Sequence, residues 1–244
     1  MNNILITGGS SGVGKALTIY LSKRFNVIVL SRRKDQMINN FAGINNIHIY
    51  DVDITDKIAL NNVLEEVKNS HGKISYIINN AGILISKKID ELDFQRDLEY
   101  SLSLNAFAPM QIINFFLSDM KKNNFGRIIN LTSGAPLNCF ANFGAYSASK
   151  AVLNSLIVTL SKELEEFNIK VNLMSPGPVK SEMVPNAPME VEVCFDTVDY
   201  LLDLKVNDFT GEFFWLGYKV PLFPDLKGVK WLEGIGNEKL QKVL

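Results

Sequence analysis

Along the first half of the chain, short runs of β-branched and other apolar residues alternate with longer stretches whose apolar positions recur at helical spacing: residues 4–7, 14–25, 27–30, a polar helical stretch, then 47–50. A short apolar run between two such stretches reads as a strand buried on both faces, and the alternation predicts βαβ units. Further runs at 74–79, 126–131, 169–174 and 211–216 each follow a helical stretch, which brings the expectation to about seven parallel strands. The expected fold class is α/β: a doubly wound parallel sheet, or Rossmann fold, with helices on both faces. No repeat or low-complexity linker divides the sequence, so one domain is expected over 1–244, with a core from 3 to 217. An irregular extension is expected over 218–244, where Pro221 and Pro224 interrupt an apolar tail.

Composition removes several alternatives. In 244 residues, 47% of them hydrophobic, 25 Lys and Arg balance 26 Asp and Glu to a formal net charge of −1. No excess positive charge is on offer to nucleic acid or to an anionic membrane, so a small-molecule partner is expected. Cys139 and Cys194 lie far apart and read as core thiols; His48 and His71 have no His or Cys at ligand spacing, so no metal site is expected. The first residues lack a basic opening and an apolar stretch of signal-peptide length, which makes the cytoplasm the expected location. The two longest uncharged stretches, 100–118 and 128–149, are broken by Asn105, Pro109, Gln111 and Asn114 and by Asn130, Asn138 and Asn142. Neither is expected to span a bilayer.

Thr7-Gly8-Gly9-Ser10-Ser11-Gly12-Val13-Gly14 joins the first strand to the first helix. Residues without side chains there let backbone N–H groups and the helix N-terminus approach a pyrophosphate, so Gly8, Ser10, Ser11, Gly12, Val13 and Gly14 are candidate dinucleotide ligands. The second strand ends in Ser31-Arg32-Arg33 with no acidic residue for a free ribose 2′-hydroxyl. A guanidinium beside Ser31 suits the 2′-phosphate of NADP(H) through charge-assisted bonds, which favours NADP(H) over NAD(H), with Arg32 the leading ligand and Arg33 the weaker one.

Tyr146-Ser147-Ala148-Ser149-Lys150 opens a helical stretch, placing Tyr146 and Lys150 on one face. A phenol with an ordinary pKa near 10 moves protons poorly at neutral pH, and an ammonium one turn away is expected to lower that value. Ser133 follows the strand at 126–131, at the carboxyl edge where doubly wound sheets bind ligands, and its hydroxyl suits a substrate oxygen. Ser133, Tyr146 and Lys150 together make a proton-transfer site beside a nicotinamide, complete without a His or an acid.

Further segments follow in order: Asp53-Ile54-Thr55-Asp56 after the third strand, Asn79-Asn80-Ala81-Gly82 ending the fourth, Ser103-Leu104-Asn105, and Pro176-Gly177 through Val179 and Ser181. With the glycine loop and the Tyr-Lys pair, they make residues 3–217 resemble the short-chain dehydrogenase/reductase family, in its single-domain branch. The resemblance implies that Asp53, with Ile54 beside it, contacts adenine. It also implies that Asn80, Ala81 and Gly82 close over the cofactor, and that Pro176, Gly177, Val179 and Ser181 hold the nicotinamide carboxamide. Asn105, Ser133, Tyr146 and Lys150 match the catalytic tetrad. On that pattern Tyr146 is the general acid in carbonyl reduction, Lys150 also binds the nicotinamide ribose, Ser133 orients the carbonyl, and Asn105 supports a water relay toward Lys150.

The sequence departs from the pattern at Ser75, where an aspartate is usual, at Ser181, where a threonine is usual, and in a short lid over 183–188 before a helix expected at 190–204. The expected substrate walls are Leu84, Ile85, Ala135, Leu137, Phe140 and Phe143, with the tail from Tyr218 to Trp231 over the gap. The apolar faces of Leu153, Leu156, Ile157, Leu160 and Leu164, and of Met110, Ile113, Phe116 and Leu117, imply by resemblance a homodimer or homotetramer; burial within one chain is the alternative. The functional expectation is an NADP(H)-dependent oxidoreductase acting on a carbonyl or secondary alcohol. Its competitors are a catalytically silent NADP-binding sensor or scaffold and, more distantly, a nucleotide-sugar epimerase or dehydratase. The latter would want a glycine at Ser11 and a longer sequence after Lys150.

Overall fold

The computed structural model describes residues 1–224, 226–229, 231–233 and 237–240. Residues 225, 230, 234–236 and 241–244 of the expected extension lie outside the described residues. The apolar runs form β1 (Asn2–Thr7), β2 (Phe25–Ser31), β3 (Ile47–Asp51), β4 (Tyr76–Asn79), β5 (Gly126–Leu131), β6 (Ile169–Ser175) and β7 (Phe213–Trp215), with an eighth strand, β8 (Tyr218–Val220). They make one sheet in the order β3-β2-β1-β4-β5-β6-β7-β8. Every pair is parallel except β7 with β8. Strand order reverses between β1 and β4, which opens a crevice above their carboxyl ends.

Alternation along the strands sends side chains to two cores. Leu5, Ile28 and Leu30 face α3 (Lys57–His71), α5 (Ala108–Lys122) and α7 (Gly144–Glu163) through Leu60, Ile112 and Ile157. Ile4, Ile6, Val27 and Val29 face α1 (Gly12–Leu21), α2 (Lys34–Asn40) and α8 (Phe195–Leu202) through Leu17, Met37 and Val198. All of these are buried, and each such side chain stabilises the fold by roughly 1.5–3 kcal/mol relative to exposure. Among the described residues no helix is long and apolar enough to cross a membrane.

Three expectations change. Part of the irregular extension is ordered as β8, because Leu216 and Gly217, at φ of 47° and 79°, make a two-residue turn back onto β7. Such turns usually carry Asn-Gly, and Leu-Gly gave no such signal. The helix expected at 190–204 begins as a 3-10 turn, Val191–Cys194, before α8. Of the two expected core thiols Cys194 is buried and Cys139 is exposed, on a left-handed residue that ends the four-residue α6 (Ala135–Asn138).

Candidate active site

The glycine loop is shaped by close approach. Gly8 and Gly12 have φ of +71° and +50°, a region that glycine occupies without strain. A Cβ on Gly14 would fall on the Gly8 carbonyl and the Asn80 amide, so Gly14 seats α1 against the end of β1. Asn80 braces the loop from behind: its Nδ2 donates to the carbonyls of Thr7 (2.9 Å) and Gly8 (3.2 Å), and its N–H donates to Thr7 Oγ1. Ser11, at the N-cap of α1, makes no side-chain capping bond, which leaves the first-turn N–H groups to the cavity in front.

At the tip of β2 the two arginines divide their work. Arg32 Nη1 donates to the Tyr100 hydroxyl (2.9 Å) and to Asp53 Oδ2 (3.3 Å). Arg33 reaches the loop itself, through Nε to Ser10 Oγ (2.9 Å) and Nη2 to Ser11 Oγ (2.7 Å), and pairs through Nη1 with Glu182 (2.7 Å). Ser31 Oγ lies 3.1 Å from Ser10 Oγ. The sequence ranks Arg32 first, whereas the geometry puts Arg33 on the loop serines. Burial pushes the Asp53 carboxyl up, but the Thr55 hydroxyl and amide and the Arg32 guanidinium prevail and hold it below its ordinary range. The hydrogen bond from Arg33 likewise holds the Glu182 carboxyl low.

Across the crevice, Tyr146 and Lys150 stand one turn apart on α7, both buried, with Lys150 Nζ 6.0 Å from the Tyr146 ring centroid. Lys150 Nζ donates to the Leu131 carbonyl (2.7 Å) at the end of β5, and burial pushes its pKa down to about 8. Burial pushes the Tyr146 phenol above its ordinary value, against the pull of a hydrogen bond with Ser133. The expected lowering by the ammonium is therefore overturned: desolvation of the phenol raises its pKa by more than the hydrogen bond with Ser133 lowers it. Ser133 Oγ also accepts from the Ala135 N–H (3.1 Å).

Asn105, 0% exposed, sits behind this pair in a π-helical turn, Ser103–Phe107. Pro109 has no N–H to give the Asn105 carbonyl, which breaks the regular ladder at that place. The Asn105 side chain instead clasps Ile83, accepting its N–H (2.8 Å) and donating to its carbonyl (2.9 Å), and donates also to Ser149 Oγ (2.9 Å). Ser149 donates to the Tyr146 carbonyl. Ser149 therefore links Asn105 to the Tyr146 turn, a tie that its place inside the Tyr-Lys motif gave no reason to expect. A Cβ on Gly82 would meet Asn105 Oδ1 at 3.1 Å and Lys150 Nζ at 3.5 Å.

These elements enclose a cavity of about 670 Å³. Gly8, Ser10, Ser11, Gly12, Val13, Ser31, Arg32, Asp53, Ile54, Asn80, Ala81, Gly82, Ser133, Tyr146, Lys150, Pro176, Gly177, Val179 and Ser181 all line it; Gly14 and Asn105 stand behind its wall. Of the expected substrate walls, Leu84, Ala135, Phe140 and Phe143 line it, while Ile85 and Leu137 do not. Ile83, Met183, Val184, Arg33 and Glu182 join them, and no described residue of the tail after Gly217 does. The short lid itself covers that side. Gly177, at φ +86°, leaves room for Leu216, whose Cδ2 a Cβ there would meet at 2.9 Å, so the β7–β8 turn backs this wall. The glycine cradle, the helix N-terminus and the arginines at one end fit a dinucleotide. His48 and His71, far apart in sequence, meet with ring centroids 4.4 Å apart and planes tilted by 52°.

Residues 2–191 match the family model of the short chain dehydrogenases. An uncharacterized oxidoreductase of Saccharomyces cerevisiae is 34% identical over 193 residues, which is 75% of this chain and 62% of that relative's length. The match thus spans less than two thirds of that relative. Among solved structures, ElxO with NADP bound is similar at a TM-score of 0.80 and 24% identity, covering 88% of this chain and 97% of that one. An NADPH-bound carbonyl reductase from chicken fatty liver is similar at a TM-score of 0.81 and 23% identity, covering 91% and 99%. These two share its fold. By the family match, which takes in more than half of the sequence, the chain belongs to the short-chain dehydrogenase/reductase family.

Proposed function

We propose that the chain is an NADP(H)-dependent oxidoreductase that moves a hydride between the nicotinamide and a carbonyl or secondary-alcohol substrate, with Tyr146 as general acid and base. The observation that carries this reading is the meeting, in one cavity, of the glycine cradle with the Ser133, Tyr146 and Lys150 side chains. The cofactor supplies the hydride; the chain supplies position and a proton. Gly8 through Val13 and the N-terminus of α1 would receive the diphosphate, Asp53 and Ile54 would flank the adenine, and Ser31, Arg32 and Arg33 would hold a 2′-phosphate. Pro176, Gly177, Val179 and Ser181 would hold the carboxamide end.

Ser133 donates to the substrate oxygen and Tyr146 gives it a proton as negative charge develops there. A phenol kept protonated by burial is in the right state to act as the acid in reduction. Lys150, anchored on Leu131, is placed to bind the ribose and to favour the phenolate as the proton leaves. Asn105 fixes Ile83 and Ser149 around them and acts as a positioning residue. Self-association has only a mixed groove to use on the α5 and α7 side, Phe107, Met110, Phe115 and Leu156 beside Lys57, Asn61, Gln111 and Asn114, because Ile113, Phe116, Leu153, Ile157, Leu160 and Leu164 of the expected faces are buried within the chain. Steady-state NADPH oxidation with Tyr146→Phe tests the assignment of the acid. The expected result is a fall in turnover of about a hundredfold to ten-thousandfold with NADPH binding retained; undiminished turnover would remove Tyr146 from the role.

A further inference from the structure

Charge is distributed unevenly along the cavity. Four of its charged lining residues, Arg32, Arg33, Asp53 and Glu182, are tied together at the adenosine end by the ion pairs Arg32–Asp53 and Arg33–Glu182. The fifth, Lys150, is 4% exposed, donates to the Leu131 carbonyl and is the group assigned above to the ribose. Beside Ser133 and Tyr146 the same cavity is lined by the apolar Leu84, Ala135, Phe140, Phe143, Met183 and Val184, with Thr132, Ser175 and Ser181 as its small hydroxyls. Phe143 stands edge-on to Tyr146 with ring centroids 6.2 Å apart, and Phe140 stands edge-on to Phe143 at 6.1 Å. Polar side chains nearby are already engaged: Thr132 Oγ1 donates to Asn154 (2.6 Å), and Ser181 Oγ accepts the Val184 N–H (3.1 Å).

The apolar wall continues out of the mouth. Phe140 is 54% exposed, on the segment that follows Ser133, and Met183 and Val184 are 45% and 44% exposed on the lid. Scattered apolar residues on a surface call for no explanation, but three exposed ones that line the same cavity mark a place where apolar surface is to be covered. Among the described residues no cation but Lys150 lines that end to pair with a carboxylate or phosphate, and no acid lines it to satisfy a row of hydroxyls.

We infer that the substrate is a neutral, lipophilic carbonyl compound. Its C=O meets Ser133 and Tyr146, and an apolar arm runs between Phe140 and the Met183-Val184 lid to the solvent edge. This deepens the oxidoreductase reading and rests on it. In the step concerned the carbonyl carbon accepts a hydride from NADPH, the C=O π bond breaks, and the oxygen takes the Tyr146 proton. The products are the secondary alcohol and NADP⁺, and Tyr146 recovers its proton from solvent.

The test is kcat/KM for NADPH oxidation with 2-butanone, 2-hexanone, 2-octanone and 2-decanone, beside the charged methyl ketones 5-oxohexanoate and 9-oxodecanoate. The expected result is a rise of about threefold to fourfold per added methylene, with each keto acid far below the neutral ketone of its own length. Phe140→Asp is expected to cut the ratio of 2-decanone to 2-butanone efficiency by about tenfold or more, and Phe140→Leu to keep most of it, which separates a lost apolar contact from a damaged fold. A flat or falling trend with length, or faster turnover of the keto acids, would overturn this inference and leave the oxidoreductase reading standing. Absence of oxidation with every ketone, in protein that binds NADPH, would overturn both.

Discussion

The two ends of the cavity are built on different principles. The adenosine end is polar and cross-linked: Arg32 to Asp53 and Tyr100, Arg33 to Ser10, Ser11 and Glu182, Asp53 to Thr55. The reacting end buries one phenol and one ammonium among apolar walls. Charge is kept where it meets solvent and a charged ligand, and pairs there cost little to hold. Where charge is buried, the fold pays in stability and gains shifted proton affinities.

The sharpest way to break that contrast is to remove the buried charge. The Lys150 pKa of about 8 lies below its ordinary 10.5. Between these values the unfolded chain holds a proton that the fold has released, so stability rises as pH climbs through that window. Below it the buried ammonium carries its full penalty. Lys150→Met is therefore expected to unfold at higher denaturant than the parent at pH 7, by at most about 3 kcal/mol, with the gain shrinking as pH passes from about 8 to 10.5. A gain that does not change with pH would mean that burial is not what lowers this group.

The adenosine end yields smaller effects. Arg33→Ala is expected to weaken NADPH binding about tenfold to a hundredfold, the worth of lost charge-assisted bonds, and to leave NADH binding nearly unchanged, as read by fluorescence titration. Arg32→Ala is expected to cost less, because Arg32 bonds to Asp53 and Tyr100 and not to the loop serines. The reverse order would restore Arg32 to first place. Smallest is Glu182→Gln: Glu182 pairs with Arg33 at an exposed site, where on the proposed reading it would compete with the 2′-phosphate, so its neutralisation should tighten NADPH by about twofold to threefold. Weaker binding would mean that Glu182 supports the site instead of competing within it.

The same contrast explains what the sequence revealed. The sheet was legible because strands buried on both faces are unbroken apolar runs, and the glycine loop because its backbone has no room for side chains. Residues at or just past strand ends could be placed because the strands lead to them: Ser31 closes β2 opposite Asp51, and Asp53 and Gly82 follow the ends of β3 and β4 by two and three residues. Loops carry no such register. Leu137 and Ile85 were expected in the wall and stand outside it, while Met183 and Val184 were unforeseen. The turn at Leu216-Gly217 put a non-glycine residue at positive φ and so hid β8. The Asn105 turn did leave a trace, in the proline four residues on, where a helix loses a donor. The raised Tyr146 pKa was hidden because spacing along a helix reports a neighbouring charge and says nothing of burial.

The most direct measurement follows the hydride. Protein is incubated with a neutral methyl ketone and NADPH carrying deuterium at nicotinamide C4, on one face and then on the other, and the product alcohol is weighed by mass spectrometry. Hydride transfer within this cavity predicts one deuterium on the carbinol carbon from one labelled face and none from the other. Product without label from either face, or no alcohol from protein that binds the cofactor, would contradict it.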